Sequence, residues 1–453
     1  MASRNTQLPQ GSTESRKPKA ESHYKTFWVM VITFAGMGLS LLFRAFLIPT
    51  RFGFSGTADE IIAALKIVLV VDTIVREGAK FSLVPLFVTR KNELTHTEYR
   101  RFTNGLLFFF LGVGFTIFVL IELLAPWITT ELLGKPTVDL QRVTGLLRLF
   151  APLIIFGCGS TVLGAFLNSQ QRFKTVALRN ALPAGVASVV FLLLWDTQNL
   201  ENYVVVAYTG GFIAYFGWLC IGAYQAGHQY EITNASLDTL RSLKNSVTLP
   251  TLGFAIRQVT NRLLIEIYLI SKLGEGIIAL YDAAFRIFSA LQTLIGTSIA
   301  TTGLPDMAAD DAVNDKRKLE RTLNRNARAA IIIGFLATLF MLIFHEKISW
   351  FIYGRAERDH AVVELIGQLL FWLSAGMLFS CLIPVLNAGL YAQKAYRSIF
   401  ANMVTMALLN FLIAYGLIET WWILGVALSV SVTALLAVGN LTYLLRRTRV
   451  SWF

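Results

Sequence analysis

The chain has 453 residues, of which 55% are hydrophobic and 15% charged, with a formal net charge of +12 and a mean hydropathy of +0.58. A soluble globular domain carries roughly 25% charged residues, so this balance excludes an ordinary soluble protein. Apolar stretches of about 20 residues, enough to cross a ~30 Å hydrocarbon core, recur along the chain, and strand-type alternation is absent. The fold class is an all-α polytopic membrane protein.

Residues 1–26 are rich in Ser, Pro, Gln and basic residues and read as a disordered basic tail without a signal peptide. Apolar runs then predict twelve spans, at 27–49, 61–88, 104–127, 145–168, 175–195, 203–225, 247–271, 276–304, 328–351, 362–390, 397–417 and 421–445. Lys and Arg gather in alternate connections: Arg90, Lys91, Arg100 and Arg101 after span 2, Arg172, Lys174 and Arg179 after span 4, Arg241 and Lys244 after span 6, and Lys316 to Arg328 after span 8. With Arg446, Arg447 and the basic first residues, this bias places both termini in the cytoplasm. The +12 charge reflects that bias and attraction to anionic membrane lipids; nucleic-acid binding is not needed to explain it. Cys158, Cys220 and Cys381 lie inside apolar runs and the five histidines are scattered, so no disulfide framework, metal site or cofactor is expected.

The sequence repeats internally. LGAFLNSQQRFKT (163–175) and LNAGLYAQKAYRS (386–398) align at a shift of 223, which also pairs Trp127 with Trp350 and Cys158 with Cys381. Six spans separate equivalents, so the halves share one orientation, as in transporters built from parallel repeats. The expected division is an N-terminal six-helix lobe at 27–225, a cytoplasmic linker at 226–246, a C-terminal six-helix lobe at 247–445 and a tail at 446–453, with a central cavity.

Charges inside spans are concentrated in four helices. Span 1 carries Arg44; span 2 carries Lys66, Asp72, Arg76, Glu77 and Lys80; span 7 carries Arg257, Arg262 and Glu266; span 8 carries Asp282 and Arg286. Three acid–base pairs stand at i,i+4 and share a helix face: Asp72/Arg76, Arg262/Glu266 and Asp282/Arg286. A lone charge at the bilayer centre costs at least roughly 2.5–3.5 kcal/mol, so these groups face protein or an aqueous cavity. Arg44, Lys66, Lys80 and Arg257 have no sequence-local partner. Seven bases against four acids call for an anionic cargo, and guanidinium groups grip phosphate through two parallel hydrogen bonds. The expected cargo is therefore a phosphate-bearing, membrane-resident molecule. Gly78 and Pro85 in span 2, and Gly303 and Pro305 in span 8, are the expected hinges.

FRAFLIPTRFGFSGTADEIIAALKIVLVVDTIVREGAKFSLVPLF (43–87) resembles the start of the MurJ/MviN lipid II flippases of the MOP superfamily, through Arg44, Phe52-Gly53, Asp59, Glu77-Gly78-Ala79 and Val84-Pro85. LGAFLNSQQRF (163–173), YDAAFRIF with GTSIATTGLP (281–305) and RTLNRNARAAI (321–331) extend the resemblance over most of 27–445. It implies an alternating-access cavity between two lobes in the bacterial cytoplasmic membrane, with Arg44 and Arg286 on the lipid diphosphate. It also implies support roles for Asp59 and Glu77 at helix ends. The sequence departs from the family at Asp72 and Thr73, where the family has two arginines, at Arg76, and at Lys80, where it has an aromatic residue. The family's two further C-terminal helices are expected to be missing. Spans 11 and 12 offer Thr405, Asn410, Ser429 and Ser431 but no mid-span carboxylate, which argues against a sodium site there.

The function expected is flipping of a polyprenyl-diphosphate-linked glycan, either lipid II or an exopolysaccharide or O-antigen-type unit, in contact with membrane lipids and with glycan-synthesis proteins as candidate partners. Coupling to membrane potential, H+ or Na+ stays open. The alternatives are a MATE-like antiporter, which would need unpaired cavity carboxylates for cationic cargo, and a membrane glycan polymerase or ligase. The longest outside connection, about 345–361, is short for holding a sugar acceptor, so no enzyme is expected.

Overall fold

The computed structural model describes residues 31–133, 139–170, 172–233, 251–312, 316–354 and 360–448, apart from the side chains of Lys80, Phe81, Ser82, Pro85, Asn92, Pro305, Ala308, Ala309 and Ala312. The expected tails, most of the linker and the side chains of Lys80, Pro85 and Pro305 lie outside the described residues. All regular structure among the described residues is helical. The helices are α1 (Val31–Phe52), α2 (Gly56–Glu93), α3 (His96–Leu133), α4 (Leu140–Ser169), α5 (Ala181–Leu193), α6 (Leu200–Gln225), α7 (251–271), α8 (277–312), α9 (Lys316–Tyr353), α10 (360–392) and a helical stretch over Tyr396–Arg447.

Seven of these are long and apolar enough to cross a membrane by themselves, and α10 makes an eighth if its two parts, bent by 45° next to Gly376, are counted as one. The last stretch has 52 residues. As one straight rod it would be about 78 Å long, far beyond a ~30 Å core. It folds back instead at Trp422, where φ is 50° and ψ −138°. Asn440 donates to Asn402 (2.8 Å), Thr433 donates to Asn410 (3.2 Å), and Gly425 packs on the Leu417 carbonyl. Each of these pairs straddles Trp421 symmetrically, the signature of an antiparallel hairpin. Its arms are α11 (396–421) and α12 (423–447).

Outward faces and buried faces separate as a bilayer requires. Leu123 and Trp127 on α3, and Ile332, Phe335 and Leu336 on α9, are exposed. In water such a surface would aggregate; here it meets acyl chains. The core is built on α2, where Ala58 and the run from Ile61 to Leu65 are fully buried, and on α4. Packing is densest among α2 to α6 and again among α8 to α12, and the two sets meet chiefly where α1 and α2 touch α7 and α8. Small residues bring the helices close. A Cβ on Gly114 of α3 would touch Cys158 Cβ at 3.1 Å, and one on Gly334 of α9 would touch Cys381 Cβ at 3.3 Å. Cys158 and Cys381 are equivalent under the internal repeat, and the two glycines stand one helical turn away from equivalence.

The helices run further than the apolar runs indicated, because their polar last turns continue past the membrane core. Within 345–361 the helix continues to Tyr353 and α10 begins at His360. Its His345 faces the Gly367 carbonyl at 3.1 Å.

Candidate functional site

The turn between α1 and α2 meets the turn between α7 and α8. The Asp59 carboxylate, in the first turn of α2, accepts hydrogen bonds from the backbone N–H groups of Gly276 and Ala279, both at 2.7 Å. Those donors open α8, where the first N–H groups have no partner inside the helix. Glu275 returns the contact by accepting from the Gly56 N–H at 2.8 Å, at the start of α2. Each turn thus caps the other's helix. Gly276 has φ +79°, and a side chain there would collide with the Phe54 carbonyl. Further along α2, in its interior, Gly78 lies against Thr251 of α7, with no room for a Cβ.

Between these two contacts lies a cavity of about 600 Å³. Seven basic side chains line it: Arg44, Lys66, Arg76, Arg179, Arg257, Arg262 and Arg286. Two carboxylates, Asp72 and Glu266, share the lining. Two more, Asp282 and Glu77, stand behind the bases they pair with. Seven cations against four anions leave the cavity with a surplus of three positive charges.

The deepest part is one buried ion network. Asp282, with no exposure, takes Arg44 (3.1 Å), Lys66 (3.0 Å) and Arg286 (3.3 Å). Glu266 takes Lys66 at 2.9 Å and Arg262 at 2.6 Å. Arg262 also stacks on the Phe285 ring, 4.5 Å from its centroid. Arg44 and Lys66, which have no sequence-local partner, find theirs on α7 and α8, in the other half of the chain. Three of the network's residues sit in wide, π-helical turns, Arg44 in Leu42–Leu47 and the Arg262/Glu266 pair in Val259–Leu269. A third such turn, Thr293–Thr297, lies in α8. Turns of this kind recur at functional sites because they re-aim side chains.

One expected pair is not formed. Asp72 does not bind Arg76; it accepts both its hydrogen bonds from Arg179, at 2.5 and 2.7 Å. Gly157 of α4 makes this geometry fit, since any side chain there would strike the Asp72 carboxylate. Arg179 comes from just before α5 and lies against the rings of Phe212 (5.7 Å) and Tyr215 (5.8 Å). Arg76 pairs with its neighbour Glu77 instead. By sequence Arg179 belongs to the basic connection after span 4 yet falls inside the span expected at 175–195, and a charge within an apolar run is the signal that marks it. Arg257 stands over the Phe254 ring at 5.6 Å and has no ion pair among the described residues. Of the expected hinges, Gly78 lies within unbroken α2 and Gly303 lies against Asn326.

The Asp72–Arg179 pair gives a first test. Asp72→Ala is expected to lower stability by about 3–5 kcal/mol, since Arg179 is left buried without a counter-charge. Asp72→Ala/Arg179→Ala should recover much of that loss, and Asp72→Ala/Arg76→Ala none of it. Thermal unfolding of the four proteins in detergent measures the coupling; equal recovery in both double variants would restore Arg76 as the partner.

The lipid II flippase MurJ family model matches residues 48–452. The chain belongs to the MurJ family. A probable lipid II flippase MurJ from Buchnera aphidicola subsp. Schizaphis graminum is 23% identical over 399 residues, 82% of this chain and 74% of that one. The solved structure of a lipid II flippase MurJ in an inward closed conformation matches with a TM-score of 0.77 at 17% identity, over 94% of this chain and 87% of that one. A multidrug resistance MATE family transporter of the MOP superfamily, in its inward-facing conformation, matches with a TM-score of 0.73 at 13% identity, over 92% and 98%. The two structural likenesses fix the fold as that shared by MurJ and MATE proteins. Members of the MurJ family are lipid II flippases, transporters that catalyse no chemical reaction.

Proposed function

We propose that this MurJ-family protein carries a polyprenyl-diphosphate-linked glycan, lipid II or a related repeat unit, across the bacterial cytoplasmic membrane by alternating access. Two six-helix lobes, 27–225 and 247–445, would rock about the cavity, with both termini in the cytoplasm. The observation that carries this reading is the sign of the cavity: seven bases and two carboxylates in its lining. A diphosphate supplies the missing negative charge. Arg257, free of ion pairs, and Arg76, Arg262 and Arg286, all partly exposed, are its first contacts. Lys80 belongs with them by its place in the sequence.

The same arrangement suggests how cargo drives movement. Arg44 and Lys66 are held by Asp282 and Glu266 across the two halves. A bound diphosphate competes for these cations and weakens the cross-half pairs. The reciprocal caps at Asp59 and Glu275 close the end that the Lys/Arg bias places outside, so they must part before the cargo leaves there. Gly78 with Pro85, and Gly303 with Pro305, remain the proposed hinges. The likeness to a MATE transporter favours a second reading, antiport of small cations, but a positive cavity repels such cargo.

Purified protein in proteoliposomes tests both. Translocation of a fluorescent lipid II or of an O-antigen-type lipid-linked oligosaccharide is expected, and export of a cationic dye is not. Dye movement without movement of either lipid would overturn the proposal.

A further inference from the structure

The cavity has a second wall that is uncharged. Gln258 and Asn261 of α7, Gln292 of α8, Asn402 and Asn410 of α11 and Thr433 of α12 all line it. They are partly wired together. Asn410 donates to Asn261 at 3.1 Å and accepts from Thr433 at 3.2 Å, while Asn402 accepts from Asn440 at 2.8 Å and Gln292 donates to the Ser380 carbonyl at 3.2 Å.

An amide has a donating and an accepting end. In Asn261, Asn402 and Gln292 one end is held by protein and the other has no protein partner among the described residues. Gln258 has neither end held among the described residues. Turning an amide over exchanges its oxygen and nitrogen but still leaves one end unpaired. Asn402 is 4% exposed and Asn410 5%. An apolar helix in a membrane gains nothing from such residues unless they are matched, because an unmatched buried amide costs about 1–3 kcal/mol. Four amides with an unheld end, Gln258, Asn261, Gln292 and Asn402, converge with the fully bonded Asn410 on one side of the cavity.

Their position relative to the cations is set by α7. Arg257, Gln258, Asn261 and Arg262 fall within six consecutive residues and all line the cavity. A molecule with its phosphates on the two arginines therefore has its next group beside the two amides. We infer that the amide wall of α7, α8, α11 and α12 is the glycan subsite, and that it takes an uncharged, hydroxyl- and amide-bearing sugar attached to the diphosphate. Neutral groups that both donate and accept match sugar hydroxyls and acetamido groups. An acidic sugar at this position would find no cation on that wall. The inference rests on the diphosphate-linked cargo proposed above.

Gln258→Ala/Asn261→Ala provides the test, because Gln258 supports nothing in the fold. Binding of two lipids to detergent-purified protein is compared: a polyprenyl diphosphate bearing an N-acetylated sugar, and the same polyprenyl diphosphate without sugar. Arg257→Ala is run beside it. The amide variant is expected to weaken the sugar-bearing lipid by about 10-fold or more, since two hydrogen bonds of ~1 kcal/mol each are lost, and the sugar-free lipid by less than about 2-fold. The thermal midpoint should stay at the wild-type value in Gln258→Ala and fall in the double variant, where Asn410 loses Asn261 as its acceptor. If the amide variant weakens both lipids equally, or neither, while Arg257→Ala still weakens both, the glycan subsite is wrong and the diphosphate reading stands. If wild-type protein binds neither lipid, the diphosphate reading falls and the subsite falls with it. A lowered midpoint in the double variant is met by Gln258→Ala alone, which must then show the same selectivity at about 5-fold; equal effects on both lipids overturn the inference.

Discussion

Asp282→Ala is expected to remove most of the folded protein from the membrane, not merely its transport. Asp282 has no exposure and neutralises Arg44, which is 1% exposed and has no other carboxylate partner among the described residues, together with Lys66 and Arg286. Removing one member of a buried ion pair costs about 3–5 kcal/mol, because the survivor is left charged and away from water. Whole-protein stabilities are of order 5–15 kcal/mol, so the loss is a large fraction of the total. The compensating change is Arg44→Met in the same chain. It removes the stranded charge and keeps much of the side-chain volume, so Asp282→Ala/Arg44→Met should regain a large part of the folded yield. Size-exclusion profiles and thermal midpoints in detergent measure this. A singly substituted Asp282→Ala protein with a wild-type midpoint would show that the network holds nothing together.

Arg257→Ala should do the opposite, sparing the fold and abolishing capture. Arg257 has no carboxylate partner among the described residues and rests on the Phe254 ring, so its loss strands no charge. The expected stability change is under about 1 kcal/mol, typical of a cation–π contact at a partly exposed site. Charge-assisted hydrogen bonds to phosphate are worth about 1.5–3 kcal/mol, so binding of a polyprenyl diphosphate should weaken about 10- to 100-fold. Arg286→Ala should behave likewise, because Arg286 is the outermost and longest of the three contacts on Asp282. Arg→Lys at either position should restore only part of the affinity, since an ammonium is a point donor without the planar fork. Full transport by both alanine variants would remove these residues from the cargo site.

The two predictions separate roles that look alike in the sequence. Arg44, Arg257 and Arg286 are all arginines inside apolar runs. Burial and partners divide them: Arg44 is locked across the two halves, Arg286 is half committed, and Arg257 is available. In the proposed mechanism, a network with more bases than acids would link cargo to conformation, since an arriving anion would change the balance between the halves.

The sequence by itself determined the fold class, most of the helical segments and the four helices that bear most of the cavity's charge, Arg179 being the exception. Those features are local. A bilayer tests each segment for apolarity one stretch at a time, and a period of 3.6 residues puts Arg262 beside Glu266 and Asp282 beside Arg286 without reference to the rest of the chain. The tertiary structure alone decided the partners of Asp72, Arg44 and Lys66, the mutual capping of α2 and α8, and the convergence of scattered amides on one wall. Asp72 meets Arg179 across 107 residues and Arg44 meets Asp282 across 238. Such pairs depend on which helix faces pack together, and that is set by small residues such as Gly157, whose missing side chain makes room for a carboxylate it does not otherwise touch.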